Sequence, residues 1–223
     1  MIYVKSLVLG GLASQFFTEM NMMKRIIIVL MVVLFSGCST PEPPKTPEEA
    51  KQDAITVLKE IGGKVTIIDG NITQVDLRQA DDRPDVAVHF KGQFEMQKLI
   101  LSGVKFTDDD LKNLVGMTKL ESLDLSFTRV TDAGLVHLKG LTSLRNLALD
   151  YNQISDAGLF HLKALPNLIY INLTRTNITD DGLEHLKALS NLSDLHIKET
   201  KITKKGVEKL QAALPKCSIT WDE

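Results

Sequence analysis

The sequence has few cysteines, few aromatic side chains and almost no net charge. Its 223 residues include only two cysteines, Cys38 and Cys217, and the formal net charge is −2. Two cysteines do not form a disulfide framework or a cysteine-based metal site. A charge near zero gives no basis for binding nucleic acid or an acidic membrane surface. With 43% hydrophobic residues, the composition predicts a globular domain with short accessory segments.

The sequence also lacks an apolar run long enough to cross a membrane. The run at residues 26–35 follows Lys24 and Arg25, and ten helical residues cover about 15 Å of a hydrocarbon core of about 30 Å. A charged start, a short apolar core and the small residues at 36–37 predict a secretory signal peptide over residues 1–37. A transmembrane helix is the alternative if residues 1–22 extend the run. Those residues have no role in a signal peptide, so the true start is expected at Met22 or Met23.

The end of this segment, LFSGC, resembles the lipobox of bacterial lipoproteins, although Phe35 stands where leucine is usual. The resemblance implies cleavage before Cys38 and acylation of that cysteine, and several acyl chains anchor a protein stably. It also implies an exported lipoprotein on the periplasmic face or the cell surface, and Ser39 implies the outer membrane in a Gram-negative cell. The alternative is an ordinary secretory signal in which Cys38 is incidental.

Two segments separate this signal from the rest of the chain. Residues 38–47 are rich in proline and predict an extended tether. Residues 48–77 predict an N-terminal cap made of a helix and a hairpin. Thr46-Pro47-Glu48-Glu49 forms a capping box with proline at the first helical position, Ala50, Ala54, Leu58 and Ile61 share one helix face, and Asp69-Gly70 favours a hairpin turn after the strand-like KVTII.

The second half of the chain repeats with a period of 24 residues. VTDAGLVHLKGLTSLRNLAL begins at Val130, and related copies begin at Ile154, Ile178 and Ile202. Such a period indicates one small unit stacked on itself. Paired apolar residues also recur in this phase, at Val75/Leu77, Leu99/Leu101, Leu123/Leu125, Leu147/Leu149, Ile171/Leu173, Leu195/Ile197 and Ile219/Trp221. The alternation within each pair predicts seven parallel strands in one register.

A helix is expected to return the chain from each strand to the next. Thr131, Ser155, Thr179 and Thr203 stand where they can cap it, and the acids after the first three of them favour its positive end. Leucines with helical spacing follow, at Leu135/Leu138/Leu141, Leu159/Leu162/Leu165 and Leu183/Leu186/Leu189. Strand and helix leucines then share a core that one unit cannot bury alone.

The copies, which read LxxLxLxxTxITDxGLxxLxxL, resemble the leucine-rich repeat family, in the subtype known from F-box proteins. The resemblance implies an α/β solenoid or horseshoe, with parallel strands on the concave face and short helices on the convex face. Repeats then occupy residues 78–214 and a capping strand occupies 215–223. The family also implies a structural ladder of side chains that form hydrogen bonds with the loop backbone, and the matching residues here are Thr128, Asn152, Thr176 and Thr200. It further implies protein binding without a cofactor.

Two groups of residues are candidate metal ligands. His89, His137, His161 and His185 share one phase of the repeat. They fall on the outer helices, which are spaced too widely for two imidazole rings to bind the same ion. The favoured interpretation is that these histidines recur because the repeat sequence is duplicated, and no metal is expected. Asp108-Asp109-Asp110 lacks the spaced oxygens and the glycine of a calcium loop and is better explained as a charged helix start.

The residues that change from copy to copy are the candidates for function. They alternate with the core positions on the concave face or lie in the turn beside it. The predicted partner-binding residues are Asp124, Phe127, Asn146, Asp150, Tyr151, Tyr170, Asn172, Arg175, Asp194 and His196. Tyrosine and arginine are enriched among residues that dominate binding energies. The alternative for each of them is a merely solvated strand residue.

Three functions are compatible with these sequence features. The first is a non-enzymatic, lipid-anchored repeat protein that binds a protein or another envelope component through its concave face. The second is a structural spacer or self-associating component of the envelope. The third is a hydrolase that uses Asp194 and His196, which lie on one face of a strand but have no accompanying nucleophile.

Overall fold

A computed structural model of the chain describes residues 45–80 and 86–222. The predicted signal peptide at residues 1–37, the predicted lipidation of Cys38 and most of the tether lie outside the described residues. Within residues 45–80 and 86–222, no helix is both long enough and apolar enough to cross a membrane.

The N-terminal part consists of one helix and a hairpin. Helix α1, Pro47–Glu60, begins with the predicted capping box: the Thr46 backbone N–H donates to Glu49 Oε2 at 2.8 Å, and the Glu49 N–H donates to Thr46 Oγ1 at 3.2 Å. Ala54, Ile55 and Leu58 are its buried residues. Ala50 was placed on the buried face by its spacing, but it is exposed.

The hairpin joins β1, Lys64–Ile68, to β2, Asn71–Asp76, and the two strands pair antiparallel. Its turn residues Asp69 and Gly70 have φ angles of 49° and 75°. Positive φ at both positions is the geometry that matches the twist of paired strands, which explains the Asp-Gly sequence.

All seven strands expected from the 24-residue phase are present, and β1 adds an eighth. After β2 the sheet continues through β3, Lys98–Ile100, β4, Ser122–Asp124, β5, Asn146–Ala148, β6, Tyr170–Asn172, β7, Asp194–His196, and β8, Ser218–Thr220. The strand order is the chain order, and every pair from β2 to β8 is parallel. Leu123 pairs with Leu147, and Leu147 pairs with Ile171. The register is therefore one whole repeat at each step.

The core lies between the sheet and the returning segments. The strand residues Leu99, Leu147 and Leu195 are 0% exposed, and so are the helix residues Leu138 and Leu186. Each fully buried leucine contributes roughly 1.5–3 kcal/mol. Because the facing surfaces come from all repeats, the core is one continuous column.

The returning segments are not all α-helices. Val86–Phe90, Asp110–Leu114 and Gly134–Gly140 are 3₁₀-helices, whereas α2, Asp156–Leu162, α3, Asp180–Leu186, and α4, Lys204–Ala213, are α-helices. The sequence predicted helices without this distinction. The leucines recur at a spacing of three in both kinds of segment, so this spacing does not distinguish a 3₁₀-helix from an α-helix.

The predicted caps are partly wrong. Thr179 and Thr203 accept hydrogen bonds from N–H groups of their own helices, but Ser155 makes no such bond. In addition, the hydroxyls and backbone N–H groups of Thr131, Ser155, Thr179 and Thr203 donate to aspartates of the preceding repeat. We call these contacts the aspartate ladder; its pairs are Asp108 with Thr131, Asp132 with Ser155, Asp156 with Thr179, and Asp180 with Thr203.

The aspartates of this ladder accept hydrogen bonds from the next repeat, whereas the sequence predicted only a favourable interaction with the positive end of a helix. Asp108, expected to be part of a charged helix start, is its first member. Although partial burial disfavours a charge at Asp180, the hydrogen bonds from Thr203 lower the pKa of this carboxyl below its usual value. These aspartates therefore tie each repeat to the next.

Candidate binding surface

The sheet face away from the helices carries the residues that vary between copies. We call it the open sheet face; each strand contributes its outward side chains, such as Asp124, Asn146 and Tyr170. The inward side chains of the same strands are Leu123, Leu147 and Ile171. Packing fixes the inward side chains and leaves the outward ones free to differ.

A turn follows each strand from β3 to β7, and one residue in each of these turns adopts a left-handed backbone. Phe127, Tyr151, Arg175 and Glu199 have φ angles of 55°, 58°, 57° and 52°, and Gly103 in the same phase has 80°. Non-glycine residues rarely adopt this conformation because it is sterically costly. Here it lets each backbone N–H reach the next repeat: that of Phe127 donates to the Asp150 carbonyl at 3.0 Å, and that of Tyr151 donates to the Thr174 carbonyl at 3.0 Å.

The side chains of this column form a continuous stack, which we call the aromatic stack: Phe127, Tyr151, Arg175 and Glu199. The rings of Phe127 and Tyr151 are 3.9 Å apart between centroids and inclined by 16°. The Arg175 guanidinium carbon lies 5.0 Å from the Tyr151 centroid, within the range of a cation–π contact. Arg175 also forms an ion pair with Glu199. Phe127 is 53% exposed and Tyr151 37% exposed, so this stack presents apolar rings to solvent.

Two other predicted contact residues are largely engaged with each other. Oδ1 of Asp150 accepts hydrogen bonds from Ser126 Oγ at 2.6 Å and from Asn172 Nδ2 at 2.9 Å. Burial raises the pKa of Asp150, and the Ser126 hydrogen bond opposes this only in part. Asp150 is 8% exposed, so it and Asn172 mainly hold neighbouring strands together.

A shallow depression lies beside this network. It has a volume of about 270 Å³ and surrounds the small residue Ala148, with Lys98, Ile100, Asp124 and Tyr170 among its walls. Burial raises the pKa of the Tyr170 hydroxyl, and the nearby carboxylates of Asp150, Asp194 and Asp124 raise it further. The depression is open to solvent.

Asp194 and His196 are adjacent, as the alternation predicts. Asp194 Oδ1 lies 3.2 Å from His196 Nε2, and the His196 ring is 5.4 Å from that of Tyr170. No described serine, threonine or cysteine is hydrogen-bonded to His196. The hydroxyl of Ser193, its nearest serine in the chain, donates to the Ile169 carbonyl at 3.4 Å. The pair therefore lacks the activated nucleophile that covalent catalysis requires.

The four residues carried over as a structural ladder make different contacts. The hydroxyls of Thr128, Thr176 and Thr200 donate to a carbonyl three residues earlier, at 2.7–2.8 Å. Asn152 reaches across repeats: its Nδ2 donates to the Leu125 carbonyl at 2.7 Å, and its Oδ1 accepts the Thr128 backbone N–H at 3.1 Å. The Thr128 hydroxyl also donates to Asn152 Oδ1 at 3.0 Å. Within the described residues, the side-chain links between repeats at this column therefore all involve Asn152.

The four histidines that share one phase of the repeat, His89, His137, His161 and His185, lie on the returning segments, away from the open sheet face. The ring of Phe160 packs edge-on against His161 and His185, with centroids 5.8 and 5.7 Å apart. Among residues 45–80 and 86–222, no group of three or more histidine, cysteine or acidic side chains is arranged to hold a metal ion.

Sequence reasoning missed two parts of this surface. Glu199 completes the aromatic stack, and Gly103 stands at its other end. Both are separated from Phe127 by a whole number of 24-residue repeats, and this spacing could have identified them as part of the same column. The left-handed backbone of the column could not be read from Phe127, Tyr151 and Arg175, because these residue types normally avoid it.

Comparison with known proteins agrees with this architecture. Residues 94–154 match a model of the leucine-rich repeat, and residues 164–187 match a second leucine-rich repeat model. No curated protein is significantly similar in sequence. Among solved structures, internalin C2 from Listeria monocytogenes is similar, with a TM-score of 0.57 and 22% identity over 83% of this chain and 93% of that one.

A second structure, an internalin (inlF) from the same species, aligns with a TM-score of 0.49 and 18% identity, over 76% of this chain and 54% of its own. Both matching sequence models describe repeats and neither describes a catalytic domain. The chain contains leucine-rich repeats and has the leucine-rich repeat solenoid fold.

Proposed function

We propose that this chain is a non-enzymatic binding protein, anchored in the bacterial cell envelope by lipid at Cys38, that holds a protein partner against its open sheet face and aromatic stack. The observation that carries this proposal is the aromatic stack itself. Buried aromatic and arginine side chains dominate the energy of protein interfaces, and here such side chains are gathered in one exposed column next to a polar sheet.

The rest of the surface fits the same role. Non-obligate interfaces surround a few apolar anchors with polar groups that make hydrogen bonds. Phe127 and Tyr151 provide the anchors, and Asn146, Asp124 and Tyr170 provide polar groups beside them. The rings of Phe127 and Tyr151 already stack on each other, and their backbones are hydrogen-bonded to the next repeat, so these side chains lose little conformational freedom on binding.

The lipid anchor is inferred from the sequence. The lipobox-like LFSGC places the acylated cysteine at residue 38, and the proline-rich segment after it separates the repeat domain from the membrane. The proposed location is the periplasmic face or the cell surface, with the outer membrane favoured in a Gram-negative cell.

A binding role is preferred to hydrolysis because of the setting of Asp194 and His196. Their side chains are 43% and 35% exposed, on a sheet face that is open to water. An acid–base pair in such a setting has neither a nucleophile to activate nor a closed site around it.

The test is site-specific photo-crosslinking in intact cells. A benzoylphenylalanine in place of Tyr170 probes the open sheet face, and the same residue in place of Phe160, which is 53% exposed on the helical side, is the matched control. We expect a discrete heterologous crosslink from Tyr170 that is absent from Phe160. Crosslinks only to other copies of this chain would instead support a self-associating spacer, and equal products from both sites would refute the assigned surface.

A further inference from the structure

The aromatic stack is closed at one end and open at the other. At its C-terminal end, Arg175 covers the Tyr151 ring and Glu199 pairs with Arg175. At its N-terminal end the next residue in phase is Gly103, which has no side chain, and a Cβ built there would meet no atom within 4 Å. Phe127 is accordingly more exposed than Tyr151, at 53% against 37%. One face of the Phe127 ring therefore borders an empty position of the column.

The spacing along the column matches the thickness of one planar side chain. Phe127 and Tyr151 stack at 3.9 Å, and successive strands of a sheet are about 4.8 Å apart. A flat side chain placed above Gly103 would therefore contact the Phe127 face as Phe127 contacts Tyr151. Aromatic faces carry negative charge density and attract cations, arginine in particular. Arg175 already uses this attraction at the other end of the stack.

Asp124 supplies a carboxylate close to this end of the stack. Asp124 Oδ1 accepts the backbone N–H of Ser126, the residue before Phe127, at 2.9 Å. No described lysine or arginine forms an ion pair with Asp124. Two described cations are near. Lys98 lines the same depression as Asp124. The guanidinium of Arg78 is held by Asp76 at 2.7 Å and is also attracted by the Asp124 carboxylate, so a partner arginine would share this carboxylate with Arg78.

We propose that the space between Phe127 and Gly103 binds an arginine side chain of the protein partner, stacked on the Phe127 ring, with Asp124 as its counter-charge. This rests on the proposed function and names the chemistry of the partner: a segment that presents arginine. Arginine is favoured over lysine because its guanidinium is planar, stacks on rings and is weakly hydrated.

The test uses a fluorescent hexa-arginine peptide as the probe and the full-length protein in a neutral detergent. Gly103→Phe fills the position without removing any side-chain contact. A side chain is strained at the Gly103 φ of 80°, but Phe127 and Tyr151, at 55° and 58°, show that the repeat accommodates aromatic residues in a left-handed turn. Gly140→Phe is its control, because a Cβ at Gly140 also meets nothing within 4 Å but lies on the helical side. Phe127→Leu removes the ring, and Asp124→Asn is compared with Asp181→Asn, which changes the net charge equally on helix α3.

We expect Gly103→Phe, Phe127→Leu and Asp124→Asn each to weaken binding of hexa-arginine by about fivefold, the scale of one cation–π contact or exposed ion pair. Gly140→Phe and Asp181→Asn should leave it unchanged, and Lys98→Gln should strengthen it. Hexa-lysine should bind more weakly and hexa-glutamate not at all. Absence of hexa-arginine binding, or equal binding by Gly103→Phe and the wild type, would overturn the proposal, whereas the Tyr170 crosslink tests the partner surface separately.

Discussion

Oδ1 of Asp156 occupies the space that a Cβ on Gly182 would fill, although the two residues belong to consecutive repeats. The Asp156 carboxylate is held there by the backbone N–H and the hydroxyl of Thr179, both at 2.7 Å. The other members of the aspartate ladder have the same relationship to a glycine: Asp108 to Gly134, Asp132 to Gly158, and Asp180 to Gly206. The threonine, aspartate and glycine of the ITDxGL motif therefore make contacts between repeats.

Gly182→Ala should destabilise the protein, even though alanine has a higher helix propensity than glycine. The added methyl group would displace the Asp156 carboxylate, and overpacking of this kind costs about 1–3 kcal/mol. Urea denaturation measures the free energy of unfolding. Gly140→Ala is the matched control, because a Cβ there meets no atom within 4 Å, and its effect should stay within about 0.5 kcal/mol.

A double-mutant cycle separates this clash from other effects of the methyl group. Asp156→Ala alone removes two hydrogen bonds to Thr179, whereas in the Gly182→Ala background those bonds are already disturbed. The two substitutions should therefore cost less together than the sum of their separate costs. Strict additivity would show that Asp156 and Gly182 do not share the space.

The architecture could be predicted from the sequence because its signal is periodic. A core residue such as Leu147 recurs with the repeat, and the parallel register follows from identical units that stack. The phase even identified Val75 and Ile219, which lie in strands without the surface sequence of the repeat. Burial of leucine is dictated by the hydrophobic effect alone, so a pattern of residue types is enough to locate it.

Contacts between polar groups were less predictable. Thr179 and Asp156 each have a plausible partner within their own helix, and only the structure shows that they bind each other across repeats. Arg175 and Glu199 likewise lie 24 residues apart, and their pairing depends on left-handed turns that neither residue favours. Where several partners satisfy the same hydrogen bond, the sequence pattern leaves the choice open.

Leu147→Asp should abolish cooperative folding of the repeat domain. Leu147 is 0% exposed and pairs with Leu123 on one side and Ile171 on the other, so an aspartate would bury an unpaired carboxylate in the middle of the column. Circular dichroism during heating would show the loss. Leu147→Met, which nearly conserves volume, should cost less than about 1.5 kcal/mol. An unchanged melting curve for Leu147→Asp would contradict the layered core.

The stability of the protein should fall in mildly acidic solution because of His161. Burial lowers the pKa of its imidazole, and Lys139 lowers it further; its Nδ1 is buried without a hydrogen-bond partner. In the unfolded chain histidine titrates near pH 6.5, so the unfolded state takes up the proton first. The stability contributed by neutral His161 is thus fully present above about pH 6.5 and decreases as the pH falls toward the lowered pKa of the folded state.

Lys139→Gln tests this account of His161. Removing the cation should bring the pKa of His161 closer to its ordinary value and reduce the difference in melting temperature between pH 7.5 and pH 5.5. His161→Leu should reduce that difference further, because the titrating group is gone. A pH dependence that is the same in all three proteins would assign the effect to other groups.

Cys217 should be inert to alkylation in the folded protein. It is 3% exposed, and burial, with a smaller effect of the Asp194 carboxylate, raises the pKa of its thiol to about 11. The reactive species is the thiolate, so iodoacetamide at pH 8 should label the native chain very slowly and the urea-unfolded chain rapidly. Mass spectrometry of a Cys38→Ser variant isolates this thiol, and rapid labelling of the native variant would contradict the buried position.

Cys38→Ser should release the protein from the membrane fraction. A serine has no thiol to accept the diacylglycerol, and without acyl chains the ten-residue apolar segment before it is too short to span the bilayer on its own. Fractionation of cells and immunoblotting measure the distribution. Cys217→Ser is the matched control and should stay with the membrane, since Cys217 is buried in the repeat core. If Cys38→Ser is retained as well, residues 1–35 must hold the chain at the membrane as an uncleaved anchor, which would require residues 1–22 to extend the apolar run.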